Sequence, residues 1–215
     1  VKKKTLLVPL ALLLALSLVA AGCPPPAQVP EVEEVEVIEL SMATFWPAVD
    51  FQVTEGHIPW IEEIEAATGG RVKITLHPGG ALLGGREIYA GVVDGIADIG
   101  VSAYAYTPGK FPLMEAFELP AFLNPSALVA SLTVHEAYKQ MKPAELADVK
   151  VMFHWATGPG DLMLKRPVHT LEDLAGMKIR AVGGTAHTMK KLGATPVSMP
   201  MPDAYLALEA GIVEG

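Results

Sequence analysis

The chain has 215 residues, 51% of them hydrophobic, with a formal net charge of −8 and a single cysteine. That acidic balance argues against a nucleic-acid binder, which needs a basic footprint, and against adhesion to an anionic surface by charge alone. One cysteine leaves no disulfide framework.

The chain opens with Lys2–Lys4, the apolar run "TLLVPLALLLALSLVAAG", and then Cys23. A basic n-region, an apolar h-region and a small-residue cleavage site make residues 1–22 a signal peptide. The run is nearly long enough to be a transmembrane anchor, which stands as the competing reading. Its "AAGC" end has the pattern of a bacterial lipoprotein signal, with Ala20 where leucine is commoner, so Cys23 is expected to carry lipid. Residues 23–34, rich in proline and glutamate, read as a stiff tether. Without residues 1–22, 13 basic residues face 24 acidic ones, a net charge of about −11. A small anionic ligand would therefore need one local positive group set in a cleft.

From about Val35 the hydrophobic period alternates between 2 and 3.6. "EVEVIELSMA" reads as a strand, and "GHIPWIEEIEAATGG" as a helix with Ile58, Ile61 and Ile64 on one face. "RVKITLHP" is a strand, "GREIYAGVVDG" a helix, "ADIGVSAY" a strand and "PSALVASLTVHEAYKQM" a helix. Further strands are expected at "VKVMFHWATG" and "DLMLKRPV". Thr170 and Asp173 open one helical turn that Gly176 stops, and "MKIRAV" alternates as a strand. Thr185 can cap a helix to about Leu192, with Gly193 as its stop. A strand at "ATPVSM" and a helix at "PDAYLALEAG" follow. Strands alternating with helices imply parallel βα units, forming one large or two small α/β domains.

Catalytic signatures are missing. "GGALLGG" lacks the Lys-Ser/Thr ending of a phosphate loop, and "HEAYK" has Lys139 where a zinc-protease helix needs its second histidine. The six histidines have no ligand spacing, and no G-x-S-x-G elbow surrounds Ser102. Instead, Phe45, Trp46, Tyr104, Trp155 and Arg180 fall just after or near the carboxyl ends of expected strands, where ligands bind in open α/β sheets. Each aromatic alone reads more readily as core or surface filler than as a ligand contact, and Arg180 reads equally as a snorkelling or ion-paired surface arginine.

Several consecutive blocks carry a family resemblance: "IEAATGGRVKITLHPGGALLGG", "VVDGIADIGVSAYAYTPGKFPLMEAFELPAFL", "TLEDLAGMKIRAVGG" and "LGATPVSMPMPDAYLALEAGIVEG". From about Val35 onward the chain resembles the DctP-type solute-binding proteins of tripartite ATP-independent periplasmic (TRAP) transporters. The resemblance implies a periplasmic-binding-protein-like α/β fold with two domains around a ligand cleft, here residues 35–155 and a partial second domain over 156–215, the chain reading as C-terminally truncated. It implies a receptor, not an enzyme, located in the periplasm or at the outer cell surface, and the signal, the tether and the lipid expected at Cys23 fit it. The receptor captures a small organic acid, usually a carboxylate. Its partner would be an ion-gradient-driven permease with small and large membrane subunits, and no cofactor or metal is involved. By the same resemblance Arg180 makes the paired contact with the ligand carboxylate, and Thr44, Phe45, Trp46, Ala103, Tyr104, Trp155, Gly183 and Met201 face the ligand. Gly160 stands where sialic-acid binders carry a second arginine, which points away from that ligand; Trp155 and Met201 suggest a flatter, more apolar acid. A sensor domain of a signalling receptor is the alternative function, and a secreted hydrolase a more distant one.

Overall fold

A computed structural model describes residues 36–120, 124–158 and 160–215. The expected signal peptide, Cys23 and the tether lie outside the described residues, and Val37–Gly215 forms its own compact unit.

Strand β1 (Ile38–Thr44) is central in a three-stranded parallel sheet, flanked by β2 (Val72–His77) and β3 (Ile99–Val101) in the order β2-β1-β3. Register runs from Ile38 opposite Val72 to Ala43 opposite His77, and from Met42 opposite Ile99 to Thr44 opposite Val101. Both faces of β1 are covered, as expected of a parallel sheet. Leu40 and Met42 pack with Ile61, Ile74 and Val101 on one face, while Ala43 and Phe45 pack with Leu83, Ile88, Ala97 and Tyr106 on the other. The first face is covered by α1 (Ile58–Ala67), entered through a π-helical turn at Val53–His57 that the sequence pattern does not reveal. Ile61 is buried and Ile64 half-buried, but Ile58, directly after the π turn, is 39% exposed. The second face is covered by α2 (Ile88–Val93), which lies so close to β3 that a Cβ on Gly100 would sit 2.6 Å from Ile88 Cγ2 and 2.7 Å from Val92 Cγ2.

A short helix, α3 (Pro112–Glu115), precedes α4 (Ala127–Met141). Ser126 caps α4 by accepting from Val129 N at 3.2 Å, and Lys142, in the left-handed region, ends it ahead of Pro143. A second parallel pair joins β4 (Lys178–Arg180) to β5 (Thr195–Val197), with α5 (Gly183–Lys191) between them and α6 (Ala204–Glu209) after them. Leu174, Met177, Ile179 and Ala194 form the core of this part.

Three expectations need correction. "VKVMFHWATG" forms no ladder: residues 149–157 run without a strand partner and are held by side chains. "DLMLKRPV" is not a strand either, although Lys165 N donates to Glu214 O at 2.9 Å. Glu214 N in turn donates to Lys178 O at 2.7 Å, and Arg180 N to Gly215 O at 2.6 Å, so residues 214–215 occupy the edge beside β4. Helix α5 starts two residues before Thr185, with Val182 as its N-cap. The Thr185 hydroxyl donates back to Val182 O at 2.6 Å, which serves the same turn from inside the helix. Among the described residues no helix is long and apolar enough to cross a membrane.

Candidate functional site

The carboxyl ends of β1, β3 and β4 converge. Thr44 closes β1 fully buried, and Phe45 is buried in the cluster that Trp46, Ala103 and Val182 pack against. Val182 follows β4 by two residues, so this cluster joins the first sheet to the second pair.

Aromatic rings dominate the junction. Phe45 lies tilted against Trp46 with centroids 4.5 Å apart, and edge-on to Tyr106 at 5.0 Å. Trp46 faces Trp155 at 6.3 Å. The Trp46 Nε1–H is buried and has no hydrogen-bond partner among the described residues. Such a donor costs about 1–3 kcal/mol unless an acceptor arrives, which is what a ligand oxygen can supply.

The loop after β5 closes the junction from the other side, and three bonds fix its backbone. Arg86 Nη2 donates to Ser198 O at 2.7 Å, Arg180 Nε donates to Met199 O at 3.0 Å, and Met201 N donates to the Tyr106 hydroxyl at 3.0 Å. Arg180 is half-buried and, among the described residues, has no ion-pair partner. One edge of its guanidinium is committed to Met199, which orients the remaining N–H groups and leaves their charge unmatched. Met201 itself is 49% exposed.

Gly183 opens α5 at φ +51°, pressed against Ala105 and Glu118. The Glu118 carboxylate accepts from the backbone N–H groups of Gly184 and Ala105; burial nevertheless pushes its pKa up.

Tyr104 is placed differently from the others. Its ring packs edge-on to Phe111 at 5.0 Å, and its hydroxyl lies 2.6 Å from His154 Nε2. Burial is the main cause of the raised Tyr104 pKa, and burial also lowers the His154 pKa to about 4. At neutral pH the phenol therefore donates and the neutral imidazole accepts.

Of the sequence-derived candidates, Thr44, Phe45, Trp46, Ala103, Trp155 and Met201 thus meet through ring contacts, shared packing and the Tyr106 bond. Arg180 reaches the same loop through Met199, and Gly183 abuts the β3 side through Ala105. Tyr104 points its hydroxyl into a separate cluster with His154. Tyr106, Arg86, Glu118 and His154 escape sequence reasoning: "YAY" carries no sign of which tyrosine turns inward, and the other three act over long sequence separations. Two surface depressions, of about 460 Å³ along Leu162–Val168 and about 410 Å³ beside Tyr138 and Pro143, lie away from this junction. Among the described residues no group of three or more His, Cys, Asp or Glu could hold a metal ion.

Known proteins share this fold. The family model for bacterial extracellular solute-binding proteins, family 7 (DctP), matches residues 42–215. The 2,3-diketo-L-gulonate-binding periplasmic protein YiaO of Escherichia coli is 27% identical over 155 residues, covering 70% of this chain and 47% of that protein. A TRAP periplasmic solute-binding protein from Desulfovibrio salexigens is 42% identical with a TM-score of 0.65, covering 83% of this chain and 55% of that one. A marine metagenome TRAP solute-binding protein, described as specific for aromatic acids and crystallised with 3-hydroxybenzoate, is 33% identical. Its TM-score is 0.78, over 84% of this chain and 57% of that one. The α/β, periplasmic-binding-protein-like fold read from the sequence is the fold of these structures. The chain spans about half the length of the curated relatives it matches.

Proposed function

The chain belongs to family 7 of the bacterial extracellular solute-binding proteins, and from that premise we propose that it captures a small organic acid for a TRAP transporter. The acid is handed to an ion-gradient-driven permease with small and large membrane subunits, and no reaction is catalysed. The observation that carries this reading is the junction itself. An indole N–H and an arginine that have no acceptor and no ion-pair partner among the described residues lie among elements that share one aromatic cluster and one pinned loop. A carboxylate bidentate on Arg180 would match the guanidinium charge, a further ligand oxygen would accept from the Trp46 N–H, and a flat apolar body would lie against Trp46 and Trp155. The ligand is therefore a flat monocarboxylate, most simply an aromatic acid, in keeping with the relative crystallised with 3-hydroxybenzoate.

Residues 35–155 and 156–215 belong to two α/β domains that contact the ligand from opposite sides, so ligand shifts the population towards a closed form. Residues 1–22 direct export, Cys23 carries the lipid anchor, and residues 23–34 are the spacer that holds the receptor at the membrane surface.

Calorimetry on the protein expressed from its full gene, with benzoate, 3-hydroxybenzoate, pyruvate and succinate as probes, tests the reading. Binding of at least one acid, recovered unchanged by mass spectrometry, is expected. Turnover of the acid, or no binding by any carboxylate, overturns it.

A further inference from the structure

The stretch that carries Trp155 has no strand partner among the described residues, where side chains hold it in place. Its two neighbours in sequence are both tied down. His154 Nε2 lies 2.6 Å from the Tyr104 hydroxyl, which comes from the turn after β3. Ala156 N donates to Ser131 Oγ at 2.8 Å, and Ser131 in turn donates to Ala127 O at 2.7 Å within α4. The His154 ring is further enclosed by Tyr138, with centroids 4.9 Å apart, by His135 at 5.8 Å, and by the Tyr104 ring at 5.9 Å. Trp155 is thus suspended between two side-chain anchors, one on each side.

Neither anchor is among the contacts of the proposed function, although the family resemblance put Tyr104 with the ligand-facing residues. The Tyr104 hydroxyl is occupied by His154, and Ser131 sits on α4. Yet the position of Trp155 relative to Trp46 sets the gap between the two indoles, whose centroids are 6.3 Å apart. A ring displaced by an ångström changes what can slide against it, and well-packed sites feel such shifts.

We propose that the Tyr104–His154 pair and Ser131 are positioning residues that hold Trp155 at the spacing that makes the site select aromatic over aliphatic acids. The selectivity part rests on the receptor reading above; the positioning part rests on the geometry alone.

Two measurements separate them. In the full-length protein labelled with 5-fluorotryptophan, ¹⁹F spectra report each indole without any ligand, with assignments from single Trp→Phe variants. His154→Leu, Tyr104→Phe and Ser131→Ala should each move or broaden the Trp155 resonance, and more than that of Trp60, whose ring touches the same stretch only through Phe153 at 6.4 Å. His154→Gln, which keeps an acceptor near the Nε2 position, should restore the Trp155 resonance. Calorimetry with benzoate and propionate should show the benzoate-to-propionate affinity ratio falling about ten-fold in His154→Leu and Tyr104→Phe, with much of it recovered in His154→Gln. A Trp155 resonance unchanged in a folded His154→Leu variant overturns the positioning role. An unchanged affinity ratio overturns the selectivity role. If the wild type binds neither acid, the aromatic-acid reading and the selectivity role fall with it, while the ¹⁹F spectra still decide whether the anchors position Trp155.

Discussion

Arg180 Nε donates to the carbonyl oxygen of Met199 at 3.0 Å, so the guanidinium is oriented before any ligand arrives. Pre-orientation cuts the entropy lost when a carboxylate is clamped. Arg180→Ala should weaken binding of the preferred acid on the order of 30-fold to several-thousand-fold, the range for removing one partner of a shielded charge pair. Arg180→Lys keeps the charge but loses both the planar fork and the Met199 bond, and should fall between. Calorimetry on folded variants decides; affinity within about two-fold of wild type in Arg180→Ala would reduce the arginine to a surface charge.

Trp46→Phe keeps a ring against Phe45 and removes the buried, unpartnered indole N–H. Because an unsatisfied donor is a cost, stability of the ligand-free protein should hold or rise by up to about 1 kcal/mol after allowing for the smaller ring. Affinity for 3-hydroxybenzoate should fall at the same time. Paired denaturant melts and calorimetry test the combination, and a loss of stability with unchanged affinity would make Trp46 an ordinary core residue.

Gly183→Ala should destabilise the fold. The position holds φ +51°, and an added Cβ would overlap Glu118 Oε2 and come within 2.8 Å of Ala105 Cβ. Left-handed backbone strain and overpacking together amount to about 2 kcal/mol or more. Gly109, also at positive φ but with nothing near its would-be Cβ, is the control. Its alanine variant should show only the strain, and equal melting temperatures for the two variants would count against the close contact.

Two histidines, His57 buried and His154 half-buried, predict acid sensitivity. Burial lowers the pKa of His57, and burial lowers that of His154 to about 4, against an ordinary value of 6.5. The unfolded chain therefore binds more protons than the folded one below pH 6.5, so stability is full above that pH and is lost as pH falls towards 4. Glu118, whose pKa is raised by burial, works in the opposite sense: its contribution is present at low pH and lost as pH rises through its folded value. Urea midpoints should fall from pH 7 to pH 4.5, and fall less in His154→Gln. A wild-type midpoint independent of pH over that window would contradict the assignment.

Export and anchoring are tested by fractionation. Wild type should partition with membranes and Cys23→Ser should be released as a soluble periplasmic protein; equal solubility of both would end the lipoprotein reading.

Much of the fold is legible because its signals are local. β1 alternates apolar and polar residues until both faces become buried, α4 carries its own serine cap, and Gly193 stops α5 where the sequence reading put it. What misleads is whatever depends on a partner distant in sequence. Residues 149–157 have the composition of a strand but no neighbour to pair with, and a strand is defined by its neighbour. Thr185 has the chemistry of a cap, yet Gly183 can adopt the conformation that lets the helix begin earlier. The Arg180 position is recoverable from its place at the end of a short alternating strand, whereas Arg86, on the approach to α2, gives no hint that it reaches Ser198 across the junction.

The loop at residues 198–201 has its peptide groups engaged by Arg86, Arg180 and Tyr106, while the Met201 side chain stays largely uncovered. If Met201 faces the ligand as the family resemblance implies, scaffold and reading surface are thereby uncoupled at this spot. A substitution at Met201 alters what the loop presents without disturbing what holds it, so new preferences can be tried there one side chain at a time. The same change at Tyr106 would loosen the loop and disturb the Phe45 packing together, which makes the first position a place for exploration and the second a place for constraint.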